Sequence, residues 1–253
     1  MKIRILPSSP DAWHLQHLIS FVVDDHLAVD AGCIGLCGAA EAQARLTTVL
    51  LTHSHLDHVC SLPIFTMNVL DSTGRGVVVS APTAVIESLR QDVFNWRVWP
   101  DFTAMTRDGQ PLLQLAPISP RRSVMFDGLT VVAIPLNHPV PTVGYLIDNG
   151  RSAALIALDT GATEEIWEVA SQHPRLTTAF VDVAFPDDMS AMAEVSGHLT
   201  PSLAKEQVGR LPAGVRKIAV HLKPAYYDRI VDQLEKAAIP NLAVGRLGHD
   251  YDC

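Results

Sequence analysis

Apolar residues in this chain come in short runs of four to nine, most of them closed by a turn residue or a polar cluster. KIRIL, LISFVV, HLAVDAG, TTVLLT, VVVSA, LTVVAIPL, TVGYLID, SAALIALD, TTAFVDVAF, RKIAVHL and NLAVG all read as strands. Between many of them the pattern changes to helical spacing, as in GAAEAQARL, SLPIFTMNVLD, PTAVIESLRQDVF, TEEIWEVASQ, SLAKEQVGRL and AYYDRIVDQLEKA. Pro82, Pro201 and Pro224 stand at or near the first turn of three of these, where a missing N–H costs little. From about Val124 to Val183 the chain is mostly strand with short connections. The mixture predicts an α/β protein with sheets at the centre and helices outside. No internal repeat, low-complexity tract or Gly/Ser linker divides it, so residues 1–253 read as one domain.

The strand ends hold the chemistry. Asp30 closes HLAVD, His53 follows TVLLT, His138 follows VVAIPLN, Asp159 closes ALIALD and His221 follows RKIAV. A residue there is held by a rigid sheet yet reaches its edge, where site residues tend to gather. The stretch VLLTHSHLDHVCSL crowds His53, His55, Asp57 and His58 into six positions. Two imidazoles at i and i+2 of an extended loop aim at one metal, and Asp57 and His58 turn to a second as a helix begins at about Ser61. Nitrogen and carboxylate ligands suit zinc, with manganese or iron as alternatives. A merely His-rich polar loop is the bland alternative. Four ligands do not complete two sites, so His138, Asp159 and His221 are the expected partners, Asp159 being able to bridge both cations.

Composition narrows the partners. Nineteen basic residues against 27 acidic ones give a net charge of −8, and basic residues cluster no further than a pair such as Arg121-Arg122. This argues against a nucleic-acid polymer and allows a small anion. Cys33, Cys37, Cys60 and Cys253 fit no zinc-knuckle spacing and read as free thiols of a reduced cytosol. No run approaches the ~20 apolar residues of a membrane span, and the apolar patch in MKIRILPSSPDAWH is broken by Pro7, so a cytoplasmic protein off the membrane is expected. His14, His17, His26, His173 and His249 read as structural or solvated.

THSHLDH, the His138 loop, ALDTG with Asp159 and AVHLKP with His221 follow the order of ligand motifs in the metallo-β-lactamase superfold, which the sequence resembles over nearly its whole length. The resemblance implies a four-layer αββα sandwich with a metal pair at the lip between two sheets, and it puts Asp30 behind the ligands rather than among them. HSHLDHVCSLPI, FNWRVWPDFT, VDVAFPDDMSAMAEVSGHLTPSLAKEQV and HLKP are similar to class II 3′,5′-cyclic-nucleotide phosphodiesterases, although Asp182 stands where that family more often has Glu. This resemblance implies hydrolysis of cyclic AMP, or cyclic GMP, to the 5′-monophosphate by a hydroxide bridging two divalent cations. His198 is then the expected general acid, with Asp182 holding its other ring nitrogen and Asp57 joining the catalytic set from within the cage. Trp96 and Trp99, in the aromatic segment within residues 94–110, are expected to cap the metal edge and stack on a purine; a core plug or subunit contact is the competing reading. Lys223 is expected to meet the phosphate. A tRNA 3′-processing phosphodiesterase, a thioester or lactone hydrolase, and a metal-dependent sensor remain alternatives, and a homodimer stays open.

Overall fold

The computed structural model describes residues 1–9 and 14–253, and residues 10–13 of the N-terminal stretch lie outside them. Two seven-stranded sheets face each other. The first runs in the order Asp250–Asp252, Lys2–Ile5, Phe21–Val23, Leu27–Val29, Thr48–Leu50, Val77–Ala81, Leu113–Pro117. The second runs Leu242–Val244, Arg216–Val220, Leu176–Asp182, Ala153–Ala157, Val143–Asp148, Leu129–Pro135, Ser123–Phe126.

Each sheet is antiparallel on one side and parallel on the other. In the first, the four strands from Leu27–Val29 to Leu113–Pro117 are parallel; in the second, so are the four from Ala153–Ala157 to Leu242–Val244. Parallel neighbours require a crossover, which is usually a helix packed on the sheet face. Helices Leu62–Thr73 and Thr83–Ser88 cross over in the first sheet, and Glu165–Ser171, Pro201–Val208 and Tyr227–Ala237 in the second.

Period-two alternation separates the layers. Leu129, Val131 and Ala133 point into a core shared with Ile3, Phe21, Val29 and Leu50 of the opposite sheet. Ala153, Leu155 and Ala157 point the other way, under Ile166, Trp167 and Ile230 of the second sheet's helices. Val49, Leu51 and Val79 do the same beneath Leu62, Phe65 and Val69 on the first sheet. Three apolar interfaces separate four layers, the αββα order expected from sequence.

The differences are local. PTAVIESLRQDVF is α-helical only over Thr83–Ser88 and closes in a wider π-type turn, Leu89–Val93. GAAEAQARL forms a single turn, Ala40–Gln43. Strands Leu113–Pro117 and Asp250–Asp252 and helix Ser190–Ser196 were not anticipated. The segment Asp250–Asp252 is too acidic to read as a strand. Its partner explains it, because Arg4 is paired opposite Asp250 and its guanidinium Nε donates to that carboxylate at 2.6 Å.

Candidate metal centre

The parallel strands of both sheets end at one lip. Thr48–Leu50 delivers His53, His55, Asp57 and His58; Ala153–Ala157 delivers Asp159; Leu176–Asp182 ends on Asp182; Arg216–Val220 delivers His221. Within the motif itself a helical turn already runs over Leu56–Val59, before the helix that starts at Leu62, and it brings the His58 ring within 4.2 Å of the His53 ring, centroid to centroid.

The seven side chains meet around Asp159. Its Oδ2 lies 3.5 Å from His53 Nε2 and 3.9 Å from His138 Nε2, while His138 Nε2 is 3.2 Å from His55 Nδ1. Its Oδ1 lies 3.4 Å from His58 Nε2 and 3.6 Å from His221 Nε2. Asp57 Oδ2 completes that side, 3.4 Å from His221 Nε2 and 3.8 Å from His58 Nε2. The ligand atoms fall into three overlapping groups: His53, His55, His138 and Asp159; Asp57, His58 and His221; and Asp159, Asp182, His198 and His221. Asp159 Oδ1 joins the second group to the first through His58 and His221.

Imidazole tautomers follow from what stands behind each ring. His138 Nδ1 faces the Gly197 carbonyl at 3.0 Å; a carbonyl only accepts, so Nδ1 carries the proton and Nε2 keeps its lone pair. His58 Nδ1 is 2.7 Å from Asp30 Oδ2 and is fixed in the same way. The Thr52 hydroxyl contacts that carboxylate at 2.9 Å and His53 Nδ1 at 3.0 Å, so it donates to Asp30 and accepts from His53. His221 Nδ1 lies 3.4 Å from Asp182 Oδ1. Three rings, those of His53, His58 and His138, are thus held from behind with Nε2 facing inward, the arrangement that carboxylate- or carbonyl-backed metal ligands adopt, while His221 Nδ1 faces Asp182 without a hydrogen bond.

Fully buried His53 Nε2, His58 Nε2 and Asp159 Oδ1 have no hydrogen-bond partner. Buried polar atoms left unpaired are costly, and three of them converging on one point is what a cation site looks like before its ion is counted. The electrostatics agree. Burial opposes the Asp159 charge, yet His221 and His58 hold its carboxyl well below the usual carboxylate range. Asp57 is likewise lowered against burial, chiefly by the His221 hydrogen bond and His58. Burial, reinforced by neighbouring His58, keeps His53 well below the ordinary imidazole value and hence neutral. Against burial, Asp159 and Asp30 raise His58 well above the ordinary imidazole value, and Asp159 and Asp57 raise His221. These carboxylates thus hold protons on imidazoles that a divalent metal ion would displace on binding, and the donor set fits such ions.

His198 stands beside the cage, its ring centroid 5.3 Å from those of His138 and His221. Asp182 Oδ2 lies 3.0 Å from His198 Nδ1 and also accepts from the Leu199 N–H at 3.1 Å. The other carboxylate oxygen of Asp182 is the one behind His221, so one buried side chain faces both rings.

A cavity of about 670 Å3 opens on the Asp57 and His221 side of the cage, and Lys223 lines it. Phe185, Met189, Met192 and Tyr226 share its wall, as does His17, which had read as structural or solvated. Sequence reasoning passed over these four apolar residues, although three of them lie inside the long stretch VDVAFPDDMSAMAEVSGHLTP.

Trp96 and Trp99 are not brought to the cage. The Leu113 N–H donates to the Phe102 carbonyl, and Leu113 opens a strand whose register starts level with Val77. The aromatic segment therefore sits where the parallel strands begin, whereas the ligands follow where they end. Phe94 and Phe102 are buried in the core under the first sheet's helices, Trp99 packs on that core, and Trp96 is 65% exposed on a turn. The core-plug reading describes Phe94, Trp99 and Phe102, and the purine-stacking expectation for Trp96 and Trp99 is corrected by strand direction.

Residues 36–222 match the family described as Beta-lactamase superfamily domain. A probable 3′,5′-cyclic-nucleotide phosphodiesterase of Yersinia pestis is 26% identical over 205 residues, which cover 72% of this chain and 58% of the relative. A ribonuclease Z of Synechococcus sp. is 32% identical over 121 residues, 46% of this chain and 36% of the relative. The chain thus spans little more than half the first relative's length and about a third of the second's. Among solved structures, unliganded yeast PDE1 superposes with a TM-score of 0.79 at 18% identity, covering 98% of both chains.

Proposed function

The chain belongs to the beta-lactamase superfamily domain family, and on that footing we propose that it is a metal-dependent phosphodiesterase that hydrolyses 3′,5′-cyclic nucleotides to 5′-monophosphates. The observation that carries the reading is the cage with His198 beside it: Asp159 faces His53 and His138 with one oxygen and His58 and His221 with the other, and His198 is held by Asp182 (3.0 Å) next to them. Two divalent cations, zinc before manganese or iron, would be held by His53, His55 and His138 on one side and Asp57, His58 and His221 on the other; when bound they acidify a water and neutralise phosphoryl charge.

The chain's own residues supply the rest. The 3′-oxygen of the ribose leaves poorly as an alkoxide and needs a proton. His198 has Nδ1 committed to Asp182, so Nε2 is the atom that carries and delivers it, a role worth typically ~10²–10⁴-fold. Asp182 positions that ring and, with its other oxygen, faces the ring of His221. Asp57, 35% exposed in its side chain, is the carboxylate of the cage that lines the cavity and so faces entering substrate. Lys223, on the same wall, is the one lysine or arginine among the described lining residues and offers its charge to the phosphate.

A cavity of about 670 Å3 is the size of a small-molecule site, and a net charge of −8 disfavours a long polyanion. Both support a mononucleotide over the RNA substrate that the ribonuclease Z relatives suggest. The test incubates metal-loaded protein with cyclic AMP, cyclic GMP and a 3′-extended tRNA. The expected result is 5′-monophosphate from a cyclic nucleotide, with a Michaelis constant insensitive to salt. Cleavage of the tRNA alone, with affinity falling steeply as salt rises, would replace this reading with RNA processing.

A further inference from the structure

With the tryptophan segment at the wrong end of the strands, the nucleoside half of a substrate needs another partner, and the cavity wall supplies one. We propose that Tyr226 is the stacking platform for the nucleobase, sharing the cavity with the flexible thioethers of Met189 and Met192; this rests on the nucleotide reading above.

Among the described residues lining the cavity, Phe185 and Tyr226 are the two aromatic carbocycles. Phe185 is nearly buried, with Lys223 Nζ 5.4 Å over its ring and the His198 ring 5.7 Å away. Its surface is already used, and its place beside His198 is at the level of the reacting ester. Tyr226 follows, its ring 6.1 Å from Phe185, half-buried against the apolar residues behind it and lining the cavity with the rest. Ring contacts therefore run from His198 through Phe185 to Tyr226, a succession we match to phosphate, ribose and base of a nucleotide.

The platform is held firmly. Pro224 opens a short 3₁₀ turn, Pro224–Tyr226, the Tyr226 N–H donates to the Lys223 carbonyl at 2.9 Å, and helix Tyr227–Ala237 follows at once. Lys223 is therefore fixed three residues before the platform, between base and cage, where it meets the phosphate or ribose oxygens. On the opposite side of the sequence, Met192 is 51% exposed on helix Ser190–Ser196. An unbranched, polarisable side chain there adapts to either purine without reading its edge.

The experiment compares Tyr226→Leu, which keeps apolar bulk, and Tyr226→Phe, which keeps the ring, using metal-loaded protein with verified metal content. Two substrates are used: cyclic AMP and a base-free ribose 3′,5′-cyclic phosphate. Loss of one base–aromatic stack should raise the Michaelis constant of Tyr226→Leu for cyclic AMP about tenfold, with kcat within about twofold, with no matching rise for the base-free compound and with Tyr226→Phe close to wild type. An equal rise on both substrates, or no rise on either, overturns the platform. Adenosine 5′-monophosphate binding, measured by calorimetry, separates this proposal from the activity it rests on. If wild type cleaves no cyclic nucleotide but binds the monophosphate about tenfold tighter than Tyr226→Leu, the platform stands and the reaction assignment falls. If wild type does not bind the monophosphate, the platform falls.

Discussion

Asp30 and Asp182 show how much of the site is decided by residues that touch no ligand position directly. Asp30 is fully buried and fixes two imidazoles at once, His58 directly at 2.7 Å and His53 through Thr52. Removing a partner of this kind typically costs ~10–100-fold in metal affinity, so Asp30→Ala should bind zinc weaker by that factor in a competition titration with a chelator; unchanged affinity would mean that the ring orientations are set elsewhere. His198→Ala should behave in the opposite way, keeping its metal content while turnover falls ~10²–10⁴-fold. Loss of metal from that variant would make His198 a ligand. The residues themselves were legible, because histidines and aspartates after apolar runs are conspicuous. What was not legible is the support behind them: a threonine hydroxyl and the carbonyl of Gly197 carry no signature in a sequence.

At the scale of elements, the site depends on where strands stop and how the chain leaves them. Asp30, Asp159 and His221 take left-handed backbone conformations, with φ of 62°, 53° and 61°. Non-glycine residues there cost about 1–3 kcal/mol each, which the surrounding structure must offset, and in return the side chain turns off the strand toward the lip. Gly197 is needed at φ 66°, and a Cβ there would also lie 2.9 Å from His138 Nδ1. Gly32 is needed for space: its Cβ would come within 2.0 Å of the Asp57 carbonyl and 2.6 Å of the Ile19 N–H nitrogen, both backbone. Gly32→Ala should therefore push the Leu56–Val59 turn off its seat, costing at least the ~1–3 kcal/mol of overpacking. Thermal denaturation should show a lower Tm and zinc titration a weaker site; wild-type values for both would contradict this close approach. The strands were readable from alternation and the outer helices from their spacing. The aromatic segment was misread because composition reveals crowding but not which end of a parallel strand a loop joins.

At the scale of the molecule, the two sheets are held together by the shared apolar core, and the second sheet is tied within itself by polar contacts. Asp148, closing one strand, receives the Arg175 guanidinium and lies 3.3 Å from His173 Nε2, joining the hairpin after it to the loop before Leu176–Asp182. The Arg175 hydrogen bond, outweighing burial, holds the Asp148 carboxyl below its ordinary value. A carboxyl whose folded-state pKa is depressed contributes stability above its unfolded value, ~3.9, and loses it as pH falls through the folded value. Asp148→Asn should therefore melt below wild type at pH 7, and the gap should close as the pH is taken down through about 4; a gap that is constant with pH would contradict the linkage. The layer order could be read in advance because it depends on patterns that the chain repeats, and the histidines and aspartates proposed as ligands stood out because the chain crowds them at strand ends. The position of the cavity could not, since it arises from two segments, around 185–192 and 223–226, that only the fold brings side by side. The central claim is that Asp159 joins two cation sites, and anomalous diffraction from zinc-loaded crystals tests it most directly. Two peaks about 3.5–4 Å apart, one against His53, His55 and His138 and the other against Asp57, His58 and His221 with Asp159 between them, are expected. A single peak, or none within bonding distance of Asp159, would contradict it.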